Sequence, residues 1–441
     1  MRSATERIDP LPLVARLLPD SAATAGGRLT IAGLDLAVLA ARYGTPLYVY
    51  DEQTLRSSAR AVLKSFSNFD CRVSFASKAC DVIAILAVLR EEGLGLDVVS
   101  EGELTAGLRA GFRPEQIHLH GNNKSDAELN AAIRLGLHSI VVDNLEELER
   151  LVARSTHGDR RISIALRVSL PVEAATHPHL QTSGFRSKFG FYRGSNEEQA
   201  AIDLLERSPG LLLTGLHTHL GSQISDLDIY RQAAGELIEL GRALRNRGCP
   251  LEEISTGGGW AVPYRPDDTG LSGEEIAAVL QPVFRGTGFR LSIEPGRAVV
   301  ARAAVALYRI GSVKHTTTGR IVAVDGGMGD NPRPALYGAR YSALLPERPT
   351  ERDSGLADIV GRYCESGDLL VREAPLPPVR AGDLVCVPVA GAYQLSMASS
   401  YNLVPSPAAV LASPGEARLI VRRASIEDLL ARNVVDHSEG L

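Results

Sequence analysis

Over residues 72–298 the apolar positions follow two alternating patterns. Short runs rich in aliphatic and β-branched residues recur at 73–77 (VSFAS), 95–100 (GLDVVS), 117–121 (IHLHG), 139–144 (SIVVDN), 162–170 (ISIALRVSL), 213–221 (LTGLHTHLG), 252–257 (EEISTG) and 290–294 (RLSIE). Most of the gaps carry apolar residues at helical spacing, as in 145–154 (LEELERLVAR) and 228–246. Ser125 stands where an N-cap belongs, ahead of the helical pattern from Asp126 to Gly136. Eight strands alternating with helices predict an α/β fold, a parallel (β/α)8 TIM barrel. A doubly wound open sheet is the alternative that this pattern leaves.

After about residue 298 the long helical patterns stop. Runs such as 321–325 (IVAVD) and 384–389 (LVCVPV) predict a mostly β C-terminal domain, sandwich-like or barrel-like. Two short strand patterns, RLTIAG and PLYVY, lie in residues 28–50 ahead of the barrel and are expected to join that β domain. The expected division is an N-terminal extension (1–27), N-terminal strands (28–54), the barrel (55–305) and the β domain (306–441).

Composition narrows the class. A net charge of -5, from 47 basic and 52 acidic residues, gives no reason to expect nucleic acid or an anionic membrane as a partner. The five cysteines are widely spaced with no C-x-x-C pair, which suggests neither a disulfide framework nor a zinc knuckle. Charges and prolines interrupt every apolar run of the first 20 residues, unlike a signal peptide, and no stretch reaches the ~18 apolar residues of a membrane helix. A reducing cytoplasm is the expected location.

Candidate chemistry gathers at the C-terminal ends of the expected strands. Lys78 follows the first, Asp97 and Ser100 the second and Asn122 the third; His219 and Ser222 follow the sixth, Gly257, Gly258 and Gly259 the seventh, and Glu294 and Arg297 the eighth. In a barrel these ends converge on one face, where active sites are built. A lysine there can condense with an aldehyde, although an isolated lysine is more often a solvated surface residue. The triple glycine offers backbone N–H groups to a phosphate, or simply a tight turn; its spacing is not that of a dinucleotide fingerprint. His217 and His219 share one face of a strand pattern, but no third metal ligand is evident nearby, and no metal is expected.

Ten segments, read together, carry a resemblance. They are FASKA (75–79), GLDVVSEGEL (95–104), HGNNKS (120–125), KFGF (188–191), GLHTHLGSQI (215–224), GGG (257–259), EPGR (294–297), RPALYG (333–338), CESGD (364–368) and GAYQLSMASSYN (391–402). In this order, over roughly residues 45–405, the chain resembles the fold-type III pyridoxal-phosphate decarboxylases. The resemblance implies pyridoxal 5'-phosphate as cofactor, held by Lys78 as a Schiff base, with His219 stacked on its ring. Ser222, Gly257, Gly258, Gly259 and Tyr393 would hold its phosphate, Gly296 would also be among the cofactor-binding residues, and Glu294 would face the pyridine nitrogen. Arg297, Arg333 and Tyr337 would bind a distal substrate carboxylate, with Arg297 also near the cofactor, Tyr393 also near the substrate, and Glu365 on the distal ammonium. Cys364 would return a proton after CO2 leaves. Cys364 and Glu365 would come from the partner subunit of a homodimer with shared sites. The chain departs from the commonest pattern at Cys80, where many relatives have asparagine, and at Trp260.

The implied reaction is decarboxylation of meso-2,6-diaminopimelate to L-lysine and CO2, the last step of lysine biosynthesis. Its chemistry suits these residues. A carboxylate beside the ring nitrogen favours the protonated, electron-withdrawing ring, whereas an arginine there would suit a racemase. Arg297 and Arg333 match a distal carboxylate and Glu365 a distal ammonium. The alternatives are decarboxylation of another basic amino acid (D-lysine, D-ornithine or arginine) and a non-catalytic pyridoxal-phosphate-binding homologue.

Overall fold

The computed structural model describes residues 14–155, 161–171, 187–317 and 319–434. Residues 1–13 of the expected N-terminal extension lie outside this description. The chain divides into two compact units. One comprises Leu55–Val262 and Thr269–Val300; the rest of the described residues, including Pro263–Asp268, form the other.

The first unit is built on eight parallel strands: β1 (Cys71–Ala76), β2 (Gly95–Val98), β3 (Ile117–Leu119), β4 (Ser139–Val142), β5 (Ile162–Ser169), β6 (Leu211–His217), β7 (Glu253–Ser255) and β8 (Arg290–Ile293). Each pairs with the next, and β8 pairs back onto β1 through Leu291–Cys71, Ser292–Arg72 and Ile293–Val73. The sheet is therefore closed, which excludes the open doubly wound alternative. Every expected strand is present, but most end two to four residues sooner than the apolar runs suggest. In 95–100, for example, Val98 ends the strand and Ser100 instead caps the helix Glu101–Arg109, accepting from the Glu103 amide. The helix Asp126–Leu135 is opened by a reciprocal Ser125–Glu128 capping box and closed by Gly136 in the left-handed region (φ 69°).

Strand register decides which side chains share the barrel interior. Ala76, Asp97, His118 and Ser139 form one row of register partners across β1 to β4. Arg167, His217, Ser255 and Ser292 form another across β5 to β8. Barrel interiors are usually filled by branched aliphatic residues. These polar rows leave an interior that is not fully packed.

In the second unit, the strand Leu47–Asp51 lies between Ala304–His315, to which it is antiparallel, and Ala408–Ser413, to which it is parallel. All five of its residues are buried, as suits a central strand. The runs expected at 321–325 and 384–389 form Arg320–Val324 and Leu384–Val387 of the same eight-stranded sheet. RLTIAG behaves differently from PLYVY. Its strand, Arg28–Ile31, is the middle member of a separate three-stranded antiparallel sheet. It meets the C-terminal part of this unit through the Leu29 amide, which donates to the Pro346 carbonyl at 2.7 Å.

Candidate active site

Lys78 sits in the short helical turn Ser77–Ala79 that follows β1. It is the one exposed residue of the otherwise buried run 73–80. The turn is fixed by the Ser77 hydroxyl, which contacts the Asp97 carbonyl at 2.7 Å and Glu103 Oε2 at 2.6 Å. Lys78 lines a cavity of about 360 Å³ at the C-terminal ends of the strands, together with Asp97, His120, Asn122, Arg167, His219 and Glu294 among others. This volume is ordinary for a small-molecule site.

The floor of the cavity is Glu294. Its Oε1 accepts from the Ser255 hydroxyl at 2.6 Å and its Oε2 from His217 Nε2 at 3.0 Å. Burial alone would raise its pKa, but His217 and His120 beside it hold the carboxyl well below the usual range. Asp97 goes the other way: burial, and then the charge of Glu294, push it well above the ordinary carboxylate value. His219 is held neutral, first by burial and then by the charge of Lys78.

The glycine run 257–259 lies against the loops that follow β6 and β8. A Cβ on Gly258 would come within 2.1 Å of the Glu294 carbonyl oxygen, and one on Gly259 within 2.0 Å of the Gly221 carbonyl oxygen. Gly257 and Gly259 also have positive φ, so side chains are excluded on both grounds. The Gly257 amide donates to Ser255 Oγ at 3.1 Å, and the Gly258 amide points at His219 Nδ1 at 3.4 Å. Two of the three N–H groups expected to cradle a phosphate thus also have partners in the fold. Arg297 Nη2 donates to Ser222 Oγ at 3.0 Å, and Gly296 precedes the short helix Arg297–Val300.

The remaining expected site residues belong to the second unit. Arg333 and Tyr337 open and close the helix Arg333–Tyr337. Arg333 is buried, donates to the Tyr341 hydroxyl at 2.5 Å and stands 4.5 Å over the Tyr264 ring. Burial opposes its charge, but Tyr264 and Tyr341 more than compensate and raise its pKa. Cys364 and Glu365 are exposed, whereas Asp368 of the same CESGD loop is buried and accepts from the Met328 and Tyr363 amides. Asp368 is thus the anchor that presents the two exposed side chains. Tyr393 adopts φ 57°, uncommon for an aromatic residue.

Some expectations change. β6 ends at His217, and His219 lies beyond it, so the two are not a pair on one strand face. His217 instead meets Glu294, and the ligand-capable atoms of His120, His217 and Glu294 lie within 4.8 Å of one another. His217, Ser255, His120 and Arg167 were not singled out as site residues by sequence; the H-T-H spacing and a serine two residues before the glycine run were the available signals.

The cavity fits a pyridoxal-phosphate cofactor on its own chemistry. It combines an amine, a carboxylate on its floor, a neutral imidazole and a buried His120 Nε2 that lacks a hydrogen-bond partner, 3.8 Å from Asp97 Oδ1. Comparison with known proteins agrees. The family described as "Pyridoxal-dependent decarboxylase, pyridoxal binding domain" matches residues 52–301. The chain is 42% identical over 416 residues to diaminopimelate decarboxylase of Actinosynnema pretiosum subsp. auranticum, covering 92% of this chain and 93% of the relative. It is 40% identical over 415 residues to that of Bacillus subtilis (strain 168), covering 92% and 94%. The crystal structure of diaminopimelate decarboxylase from M. jannaschii in co-complex with L-lysine is similar with a TM-score of 0.88 at 29% identity, over 94% of this chain and 98% of that one.

Proposed function

The chain belongs to the pyridoxal-dependent decarboxylases, and from that premise we propose that it decarboxylates meso-2,6-diaminopimelate to L-lysine. The observation that carries this reading is an amine, Lys78, opening into the cavity whose floor is the doubly hydrogen-bonded, ionised Glu294. When bound, pyridoxal phosphate supplies an electron sink for the pair left at the substrate Cα as CO2 departs.

The protein's own groups supply the rest. Lys78 would hold the cofactor. Glu294 favours a proton on the ring nitrogen, because a nearby negative charge stabilises the cationic form. His219 would lie against the cofactor, and Ser222 with the glycine run and Tyr393 would hold its phosphate end. Arg297, Arg333 and Tyr337 bind the distal carboxylate, and Glu365 the distal ammonium. The Cys364 thiol returns a proton to Cα.

The protein acts as a homodimer in this reading, with the exposed Cys364 and Glu365 of one subunit completing the other's site. Among the described residues no helix is long and apolar enough to cross a membrane.

The test is CO2 release from meso-diaminopimelate with L-lysine identified as product. Release from D-lysine, D-ornithine or arginine, and none from diaminopimelate, would move the assignment to the alternative substrates. Binding of pyridoxal phosphate without turnover of any of them would support the non-catalytic homologue.

A further inference from the structure

We propose that His217 is a positioning residue: its Nε2–H fixes one oxygen of Glu294 while Ser255 fixes the other, so that the carboxylate keeps a single orientation toward the ring nitrogen of the bound cofactor. The inference rests on the proposed function and extends it to two residues outside the expected site.

Register builds the arrangement. His217, Ser255 and Ser292 are partners on β6, β7 and β8, so their side chains stand in one row. Glu294 is two residues beyond Ser292, on the same side of the chain, and the Glu294 amide continues the ladder by donating to the Gly257 carbonyl at 2.9 Å. His217 Nε2 then stands 3.0 Å from Oε2, and Ser255 Oγ 2.6 Å from Oε1. A carboxylate only accepts, so His217 must carry its hydrogen on Nε2. A carboxylate has about four lone-pair sites, and two donors leave room for a third.

Two further observations separate this from ordinary packing. His217 and Glu294 line both the cofactor cavity and a second cavity of about 280 Å³ deeper in the barrel, so open space borders the pair on two sides. The hydrogen bonds are what hold it. His217 Nδ1 is buried without a partner, as is His120 Nε2, whose ring meets that of His217 edge-on at 4.9 Å. Ser255 extends the arrangement to the glycine run, because the same hydroxyl accepts from the Gly257 amide at 3.1 Å.

The experiment uses full-length protein loaded with pyridoxal phosphate. His217→Gln keeps an N–H donor near the Nε2 position; His217→Phe removes it at similar volume. In His217→Phe, kcat on meso-diaminopimelate is expected to fall about 10- to 100-fold, as for loss of a hydrogen bond to a charged group, with KM little changed and the absorbance of the bound cofactor shifted. His217→Gln should recover most of the kcat and the native spectrum. A native spectrum and native kcat in His217→Phe overturn the proposal. So do equal losses in both variants with native spectra, which would mean that the ring only fills space. If His217→Phe does not fold, Ser255→Ala decides, since a native cofactor spectrum there overturns the same claim. A wild type that binds pyridoxal phosphate but releases no CO2 sinks the proposed function and leaves the spectral comparison intact.

Discussion

Asp97 and Glu294 line one cavity, and their acidities are driven in opposite directions. Glu294 has His217 and Ser255 as donors and stays ionised. Burial and then the charge of Glu294 push the Asp97 carboxyl well above the ordinary carboxylate range. Environments that push two carboxyls apart in this way assign their roles. Glu294 is the permanent anion of the site. Glu294→Gln should therefore retain pyridoxal phosphate and lose most turnover. The expected loss is about 3–4 kcal/mol in the barrier, typical for a preorganised charge at a reaction centre. A near-normal kcat, measured at saturating cofactor, would show that the ring does not depend on this charge.

Lys78 is expected to be the point of covalent attachment, since it projects from a buried turn into the cavity. Borohydride reduction of the holoenzyme followed by peptide mapping should place a pyridoxyl group on the peptide containing Lys78. Attachment at Lys124 is not expected. That ammonium is buried and donates to the Gly121 and Val141 carbonyls and to Glu147.

Arg333→Ala should lower kcat/KM for diaminopimelate about 10- to 100-fold more than for lysine or ornithine, because only the first offers a distal carboxylate to a charge-assisted bond. The ratio between substrates is the readout. The variant also loses the contacts with Tyr341 and Tyr264, and any general damage acts on every substrate alike. Equal losses would make Arg333 a structural residue.

Asp330 gives a pH signature of the fold. Burial pushes its carboxyl up to about 7, against the Tyr308 hydroxyl and the Gly327 amide that donate to it. In the unfolded chain it titrates near ~3.9. Between these values the folded state keeps a proton that the unfolded chain has released. Stability from this group is therefore lost as pH rises from about 4 to about 7 and is level above that, a change on the order of 4 kcal/mol. Asp330→Asn should flatten this decline in unfolding midpoints measured from pH 5 to 8. An unchanged pH slope would show that Asp330 does not titrate with folding.

Shared sites predict complementation. Lys78→Ala and Cys364→Ala should each be nearly inactive alone. Dissociated and reassociated together, half of the dimers are mixed and each carries one intact site, so about one quarter of wild-type activity should return. No recovery despite proven subunit exchange would place Cys364 in its own subunit's site or outside it.

Much of this protein was determined by the sequence alone. Eight apolar runs and the helical spacing between them are local features, since period follows from backbone geometry, and all eight strands formed where the runs lie. Ser125 and Gly136 marked helix ends for the same reason, because a cap acts within one turn. Lys78, His219, Glu294 and the glycine run were legible as strand-end residues. Tertiary structure decided what these residues touch. Periodicity says which face a side chain takes, but not which strand stands beside it once a sheet closes. The bond between His217 and Glu294, 77 residues apart, depends on the register of three strands. The division of the CESGD loop into a buried anchor, Asp368, and an exposed thiol likewise depends on the Met328 and Tyr363 amides, which turn one acid inward. The opposite titration of Asp97 and Glu294 needs both burial and neighbours, and only the assembled barrel interior supplies these.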